Sequence, residues 1–198
     1  MAAQPAFTRA DPDARRQSLI EATARVLAAK GAAGVSVRTI CAEAGVSAGL
    51  LRHYFASVSD AIAETYRWTG AQIDSALEQA VAAAGADPRA RLLAYLTANF
   101  RPPIATPDLL ATYVAFWSLT GSDPAVAAVR AEVYGTFRSG LEGLLRAYRA
   151  DLGDARMAAV ALTALIDGLW LELSLGEAPF SAEEAEGLAA QWLDCLTA

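Results

Sequence analysis

The sequence predicts an all-α protein of nine helices. Three observations carry that expectation. Hydrophobic residues make up 55% of the 198 residues, dominated by alanine and leucine with few β-branched runs, a composition that favours helix. Apolar positions recur at three- and four-residue spacing, and no segment alternates as a half-buried strand would. Capping side chains stand directly before proline at Asp87-Pro88, Thr106-Pro107 and Asp123-Pro124, each a strong helix start.

Residues 1–10 carry no helical pattern and read as disordered. A first helix is expected from Pro12 to Lys30, with Leu19, Ala22, Thr23, Val26 and Leu27 on one face and Lys30-Gly31 as its stop. Arg15 and Arg16 sit in its opening turns, where a cation opposes the helix dipole unless an anion lies nearby. Ser36 can cap a second helix whose buried stripe is Val37, Ile40, Cys41 and Ala44. Gly45 gives the turn its backbone freedom, and Ser47 caps a third helix with Leu51 and Phe55 facing inward. Ser57-Val58-Ser59-Asp60 has capping-box spacing and opens a long helix to about residue 84. The later helices are expected at about 88–100, 107–120, 124–152, 153–175 and 181–196, the last opened by Ser181-Ala182-Glu183-Glu184.

Two short helices joined by a tight turn over residues 36–55 suit a unit that reads DNA. Ala48, Gly49, Leu50, Arg52 and His53 point outward from the third helix, with Tyr54 at its end. Small residues allow close approach to the major groove, Leu50 fits a thymine methyl, and Arg52 fits guanine or phosphate. Arg38 and Thr39 on the second helix and Ser47 at the turn complete the candidate DNA surface. A helical hairpin in some other α protein carries the same pattern.

Gly45-Val46-Ser47-Ala48-Gly49-Leu50-Leu51-Arg52-His53-Tyr54-Phe55, preceded by one long helix, resembles the tetracycline-repressor (TetR) family. Ala115-Phe116-Trp117 and Ala164-Leu165-Ile166-Asp167-Gly168-Leu169-Trp170-Leu171 resemble the C-terminal region of its BetI-like subgroup, repressors of choline-to-betaine genes. The resemblance implies a helix-turn-helix DNA-binding domain over 1–58 and a ligand-binding and dimerisation domain over 59–198. It also implies a homodimer on a palindromic double-stranded DNA operator, released by a small-molecule effector. Where the family usually has Lys just after the Tyr-Phe pair this chain has Val58, so a phosphate contact there is not carried over.

Composition agrees with a division of labour. The net charge is −6, yet residues 1–60 carry seven Arg and Lys against five Asp and Glu, a net of +2, leaving −8 on the remainder. A weakly basic head on an acidic body fits a DNA reader whose remainder faces away from phosphate. The N-terminus lacks a signal pattern, and no apolar run is expected to reach the length of a membrane span, so the chain reads as cytoplasmic. Cys41 and Cys195 read as small hydrophobes. The single histidine, His53, lies in the helix-turn-helix, which leaves no His cluster for a metal and no Ser–His nucleophile in the body. No phosphate-binding glycine fingerprint occurs. The expectation is therefore not an enzyme, with no metal and no cofactor.

Aromatic and polar residues on successive body helices form the candidate effector pocket: Tyr95, Asn99, Tyr113, Phe116, Trp117, Tyr134, Phe137, Asp167 and Trp170. Aromatic faces with one nearby acid favour a cationic, choline-like effector. Apolar stripes Leu162, Leu165, Ile166, Leu169 and Leu173, then Leu188, Trp192 and Leu196, are the candidate dimer interface, two helices meeting their twins in a four-helix bundle. A helical small-molecule binding or adaptor protein without operator binding is the alternative from another class.

Overall fold

The computed structural model describes residues 12–176 and 178–197, so the expectation for residues 1–10 lies outside the described residues. Among the described residues there are nine α-helices and no strand: α1 Pro12–Lys30, α2 Val37–Ala44, α3 Ala48–Tyr54, α4 Val58–Ala83, α5 Pro88–Thr97, α6 Pro107–Leu119, α7 Pro124–Tyr148, α8 Ala155–Ser174 and α9 Ala182–Thr197.

The caps form as the sequence dictates. Backbone N–H groups donate to Asp87 Oδ2 from Ala90 at 2.7 Å, to Thr106 Oγ1 from Leu109 at 3.3 Å, and to Asp123 Oδ1 from Ala125 at 3.0 Å. At α9 the box is reciprocal, with Glu184 N donating to Ser181 Oγ and Ser181 N to Glu184 Oε2. At α4 the return bond shifts by one residue: Asp60 N donates to Ser57 Oγ, while Asp60 Oδ2 accepts from Ala56 N. Each cap satisfies a donor that the first helical turn would otherwise leave open, worth about 1 kcal/mol.

Two ends differ from expectation. The fifth helix tightens into a 3-10 turn over Ala98–Phe100, where the buried Asn99 amide donates to the carbonyls of Tyr95 and Leu96. The seventh stops at Tyr148 instead of 152, because Arg149 leaves helical geometry and its guanidinium turns to Asp151. A third expectation is corrected outright. α8 spans 20 residues at mean hydropathy 1.5, long and apolar enough by length and composition to cross a membrane. Here it packs against α6, α7 and α9.

Two apolar cores result. The smaller joins Leu19 and Ile20 of α1, Ile40 and Cys41 of α2, Leu51 and Phe55 of α3 and its end, and Ala61 of α4. The larger runs through α4 to α9 and centres on Tyr66, Phe116, Leu77, Leu92 and Leu145, all fully buried. Tyr66 stacks on Phe116 at 4.1 Å. Burying one such side chain contributes roughly 1.5–3 kcal/mol, so the body's core dominates the stability. α1 belongs to both: Leu27 near its end joins the larger core, and Thr112 of α6 reaches back to the Ala24 carbonyl at 3.4 Å.

Candidate functional site

Three places carry functional geometry: the outer face of α3, a cavity in the body, and an exposed apolar face on α8 and α9. The first is set by the turn. Gly45 sits at φ 66°, a left-handed conformation that strains any residue with a Cβ, and Val46 N donates to Cys41 O to close it. Leu51 and Phe55 anchor α3 inward. Arg52, His53 and Gly49 are thereby exposed, with Ala48, Leu50 and Tyr54 half-buried and Arg38 exposed on α2. The His53 and Tyr54 rings meet edge-on at 5.1 Å. Arg38 and Arg52 make no ion pair among the described residues.

Thr39 and Ser47 are placed differently from the other candidates. The Thr39 hydroxyl accepts from Ser36 N at 2.8 Å and reaches the carbonyls of Gly34 and Ser36, completing the cap of α2. Ser47 Oγ accepts from Leu50 N to cap α3. Arg16 is also committed, its guanidinium 2.5 Å from Glu64 and 5.5 Å over the Phe55 ring. The chain of charge continues from Glu64 to Arg67 at 2.7 Å and from Arg67 to Glu132 at 2.9 Å, joining α1, α4 and α7. Burial pushes the Glu64 carboxyl up, and the two guanidiniums overcome it, so its pKa lies below the usual range.

The cavity lies between α4, α6, α7, α8 and the 3-10 turn, with a volume of about 40 Å³, room for the centres of a few water molecules. It is lined by Gly70, Ile73, Asp74, Asn99, Tyr113, Val133, Tyr134, Phe137, Thr163, Ile166, Asp167 and Trp170. Six of the nine candidate pocket residues are brought together here: Asn99, Tyr113, Tyr134, Phe137, Asp167 and Trp170. Three are not. Tyr95 is buried with its hydroxyl on the Phe137 carbonyl, Phe116 is fully buried against Tyr66, and Trp117 donates from behind to Tyr134. Asp74 was missed by sequence reasoning. It sits among the apolar positions Ile73 and Leu77 of α4, and nothing local marks it.

The polar wiring is specific. Tyr134 Oη accepts from Trp117 Nε1 at 2.9 Å and donates to Asp167 Oδ1 at 3.0 Å. The Tyr134 ring lies under the guanidiniums of Arg130 at 4.2 Å and Arg138 at 5.2 Å. Trp170 Nε1 donates to the Asn99 carbonyl at 2.8 Å, which fixes the indole as a wall. Burial pushes the Asp167 carboxyl above its ordinary range, opposed by the Tyr134 hydroxyl and by Arg130 and Arg138. Burial also raises Asp74, and Glu78 one turn on adds to it. Gly70 permits the tight approach of α4 to α7: a Cβ there would lie 2.9 Å from a Val133 methyl.

On the third surface, the stripe read from the sequence faces inward. Leu162, Ile166 and Leu169 are buried within this one chain, and Leu165 and Leu173 are half-buried. The exposed face of α8 is Met157, Ala161, Ala164, Gly168, Leu171 and Leu175, recurring at four- and three-residue steps. Small residues, Ala161, Ala164 and Gly168, make up the middle of this exposed face, with the larger Met157, Leu171 and Leu175 toward its ends. On α9, Leu188 and Trp192 are exposed, at 36% and 51%, while Leu196 is half-buried.

Residues 19–59 match the model of the TetR family of bacterial regulatory proteins, and residues 88–198 match that of the C-terminal region of BetI-type transcriptional repressors. The HTH-type transcriptional regulator BetI of Burkholderia cenocepacia strain HI2424 is 34% identical over 184 residues, covering 93% of this chain and 94% of that one. A crystal structure of a transcriptional regulator from Pseudomonas aeruginosa PAO1 superposes with TM-score 0.87 at 38% identity, covering 98% of this chain and 95% of that chain. A regulator from Saccharomonospora viridis, solved in complex with choline, shares the fold at TM-score 0.77 and 22% identity, covering 92% and 96%.

Proposed function

Because this chain belongs to the TetR family of transcriptional regulators and carries a BetI-type C-terminal region, we propose that it is a cytoplasmic, homodimeric repressor released from a palindromic operator by a small organic cation. It is a regulator, not an enzyme. Residues 1–58 serve as the DNA-binding domain and 59–198 as the effector-binding and dimerisation domain. Arg38, Gly49, Leu50, Arg52, His53 and Tyr54 meet DNA, with Ala48 allowing close approach. Thr39 and Ser47 act through the caps that hold the two helices.

One observation carries the reading. The cavity is walled by α4, and the same helix is capped at Ser57 against the end of the reading unit. A ligand that favours one position of α4 therefore shifts the population of head positions, with no separate transmitter needed. The choline complex of the S. viridis regulator supports a cationic effector in this fold, as do the aromatic walls Tyr113, Phe137 and Trp170. The exposed Met157-to-Leu175 face and Trp192 supply the dimer contact, and the alanines and Gly168 let the helices approach closely.

The test is fluorescence anisotropy of a labelled duplex from the DNA upstream of its own gene, followed by titration with choline. Saturable binding reversed by choline is the expected result. A protein that binds no segment of that DNA, or that remains bound at saturating choline and related cations, contradicts the proposal.

A further inference from the structure

We propose that Asp74, on the α4 wall, is the counter-ion for the effector's ammonium group, and that the cavity selects a small compound with a single positive charge. The inference rests on reading the cavity as the effector site. It differs from the sequence expectation, which placed the anionic contact at Asp167.

Two carboxylates line the cavity, and neither Lys nor Arg does. Their surroundings are opposite. Asp167 is already answered by the protein: it accepts from the Tyr134 hydroxyl, and the guanidiniums of Arg130 and Arg138, stacked on the Tyr134 ring, act on it. Asp74 has no hydrogen bond and no ion pair among the described residues. Its charged neighbour on α4 is Glu78, which makes its position worse. A half-buried carboxylate beside a second acid is costly unless a cation arrives to balance it.

Tyr113 points to the same occupant. It lines the cavity at 6% exposure, yet its hydroxyl makes no hydrogen bond among the described residues, whereas Tyr95 and Tyr134 both donate. Tyr113, Asp74 and Asp167 all line the same cavity. A hydroxyl and a carboxylate that line one cavity with no partner among the described residues are both open to a polar ligand. The Tyr113 and Trp170 rings meet edge-on at 5.2 Å and offer aromatic surface to the alkyl groups of an ammonium. Arg130 and Arg138 lie over the Tyr134 ring that lines the cavity, and their charge repels a second cation, so a diammonium compound is disfavoured.

The experiment is calorimetry on the full chain with choline, its uncharged isostere 3,3-dimethyl-1-butanol, and 1,4-diaminobutane. Wild type should prefer choline to both. Asp74→Asn should weaken choline by about tenfold or more while leaving the isostere unchanged. Asp167→Asn should keep the preference for choline over the isostere. Circular dichroism melts confirm folding, and Asp74→Ala replaces Asp74→Asn if the latter does not fold. A preference intact in the Asp74 variants, or lost in Asp167→Asn alone, overturns the assignment while the repressor reading stands. A wild type that binds the isostere or the diamine as well as choline overturns the single-charge selection. If wild type takes only uncharged compounds and those release DNA, the cationic effector and Asp74 fall together.

Discussion

The reading head and the body differ in where their unpaired arginines lie. In the body, Arg67, Arg89, Arg101, Arg146 and Arg149 each hold a carboxylate. On the outer face of the head, Arg38 and Arg52 hold none, while Arg16 and Arg25 on the inner side are paired with Glu64 and Glu43. Arg91, Arg130, Arg138 and Arg156 of the body also make no ion pair among the described residues, and Arg130 and Arg138 lie over the Tyr134 ring, whereas Arg38 and Arg52 are exposed on the outer face of the reading unit, where a partner outside the protein can meet them. The cores divide in the same sense. The seven residues of the smaller core hold α2 and α3 against α1, and the larger core carries the stability and leaves a cavity lined by two carboxylates.

Breaking the body should therefore cost most. Phe116→Ala removes a fully buried ring stacked on Tyr66 and should lower unfolding free energy by about 3–5 kcal/mol in a urea titration. Arg52→Ala should leave that titration unchanged and weaken operator binding by about 1–3 kcal/mol, with relaxed preference at one base position. An equal loss of stability in both variants would erase the distinction between the regions. Gly70→Ala forces α4 from Val133 and should cost about 1–3 kcal/mol in the melt, with altered choline release.

The smallest effect concerns pH. Asp74 faces Glu78 on its own helix, Tyr95 from α5 and Tyr113 from α6. Its pKa is raised on folding, so its ionisation opposes folding above that pKa, and the penalty vanishes below the unfolded carboxylate range. Asp74→Asn should then melt slightly higher than wild type at neutral pH, with the two curves converging in acid. A ligand site that destabilises its own empty fold would be visible in that difference.

Much of the fold was legible because the helix starts are written locally. Asp87, Thr106, Asp123 and Ser181 cap within three residues of themselves, and Gly45 fixes a turn that only a residue without Cβ adopts easily. The site was half legible. Tyr113, Tyr134 and Trp170 could be named as aromatics on neighbouring helices, but which side of each helix met the cavity depended on packing. Asp74 lies among mixed polar and apolar residues of α4, where no local pattern shows which of them face a cavity. On α8 the sequence pattern picked out Leu162, Ile166 and Leu169, which this chain buries in its own core, whereas the exposed apolar face runs through Met157, Ala161, Ala164, Gly168 and Leu171. Arg16 and Glu64 stand 48 positions apart, a separation at which no local pattern announces a pair.

That pair has a consequence for how the molecule answers its solvent. The chain from Arg16 through Glu64 and Arg67 to Glu132 lies largely exposed, and exposed charges are screened over about 10 Å at 0.1 M ionic strength. Attraction to DNA phosphate also falls steadily with added electrolyte, through the release of condensed counterions. A rise in electrolyte thus loosens the grip of the head on DNA and, in the same stroke, the charged tie between head and body.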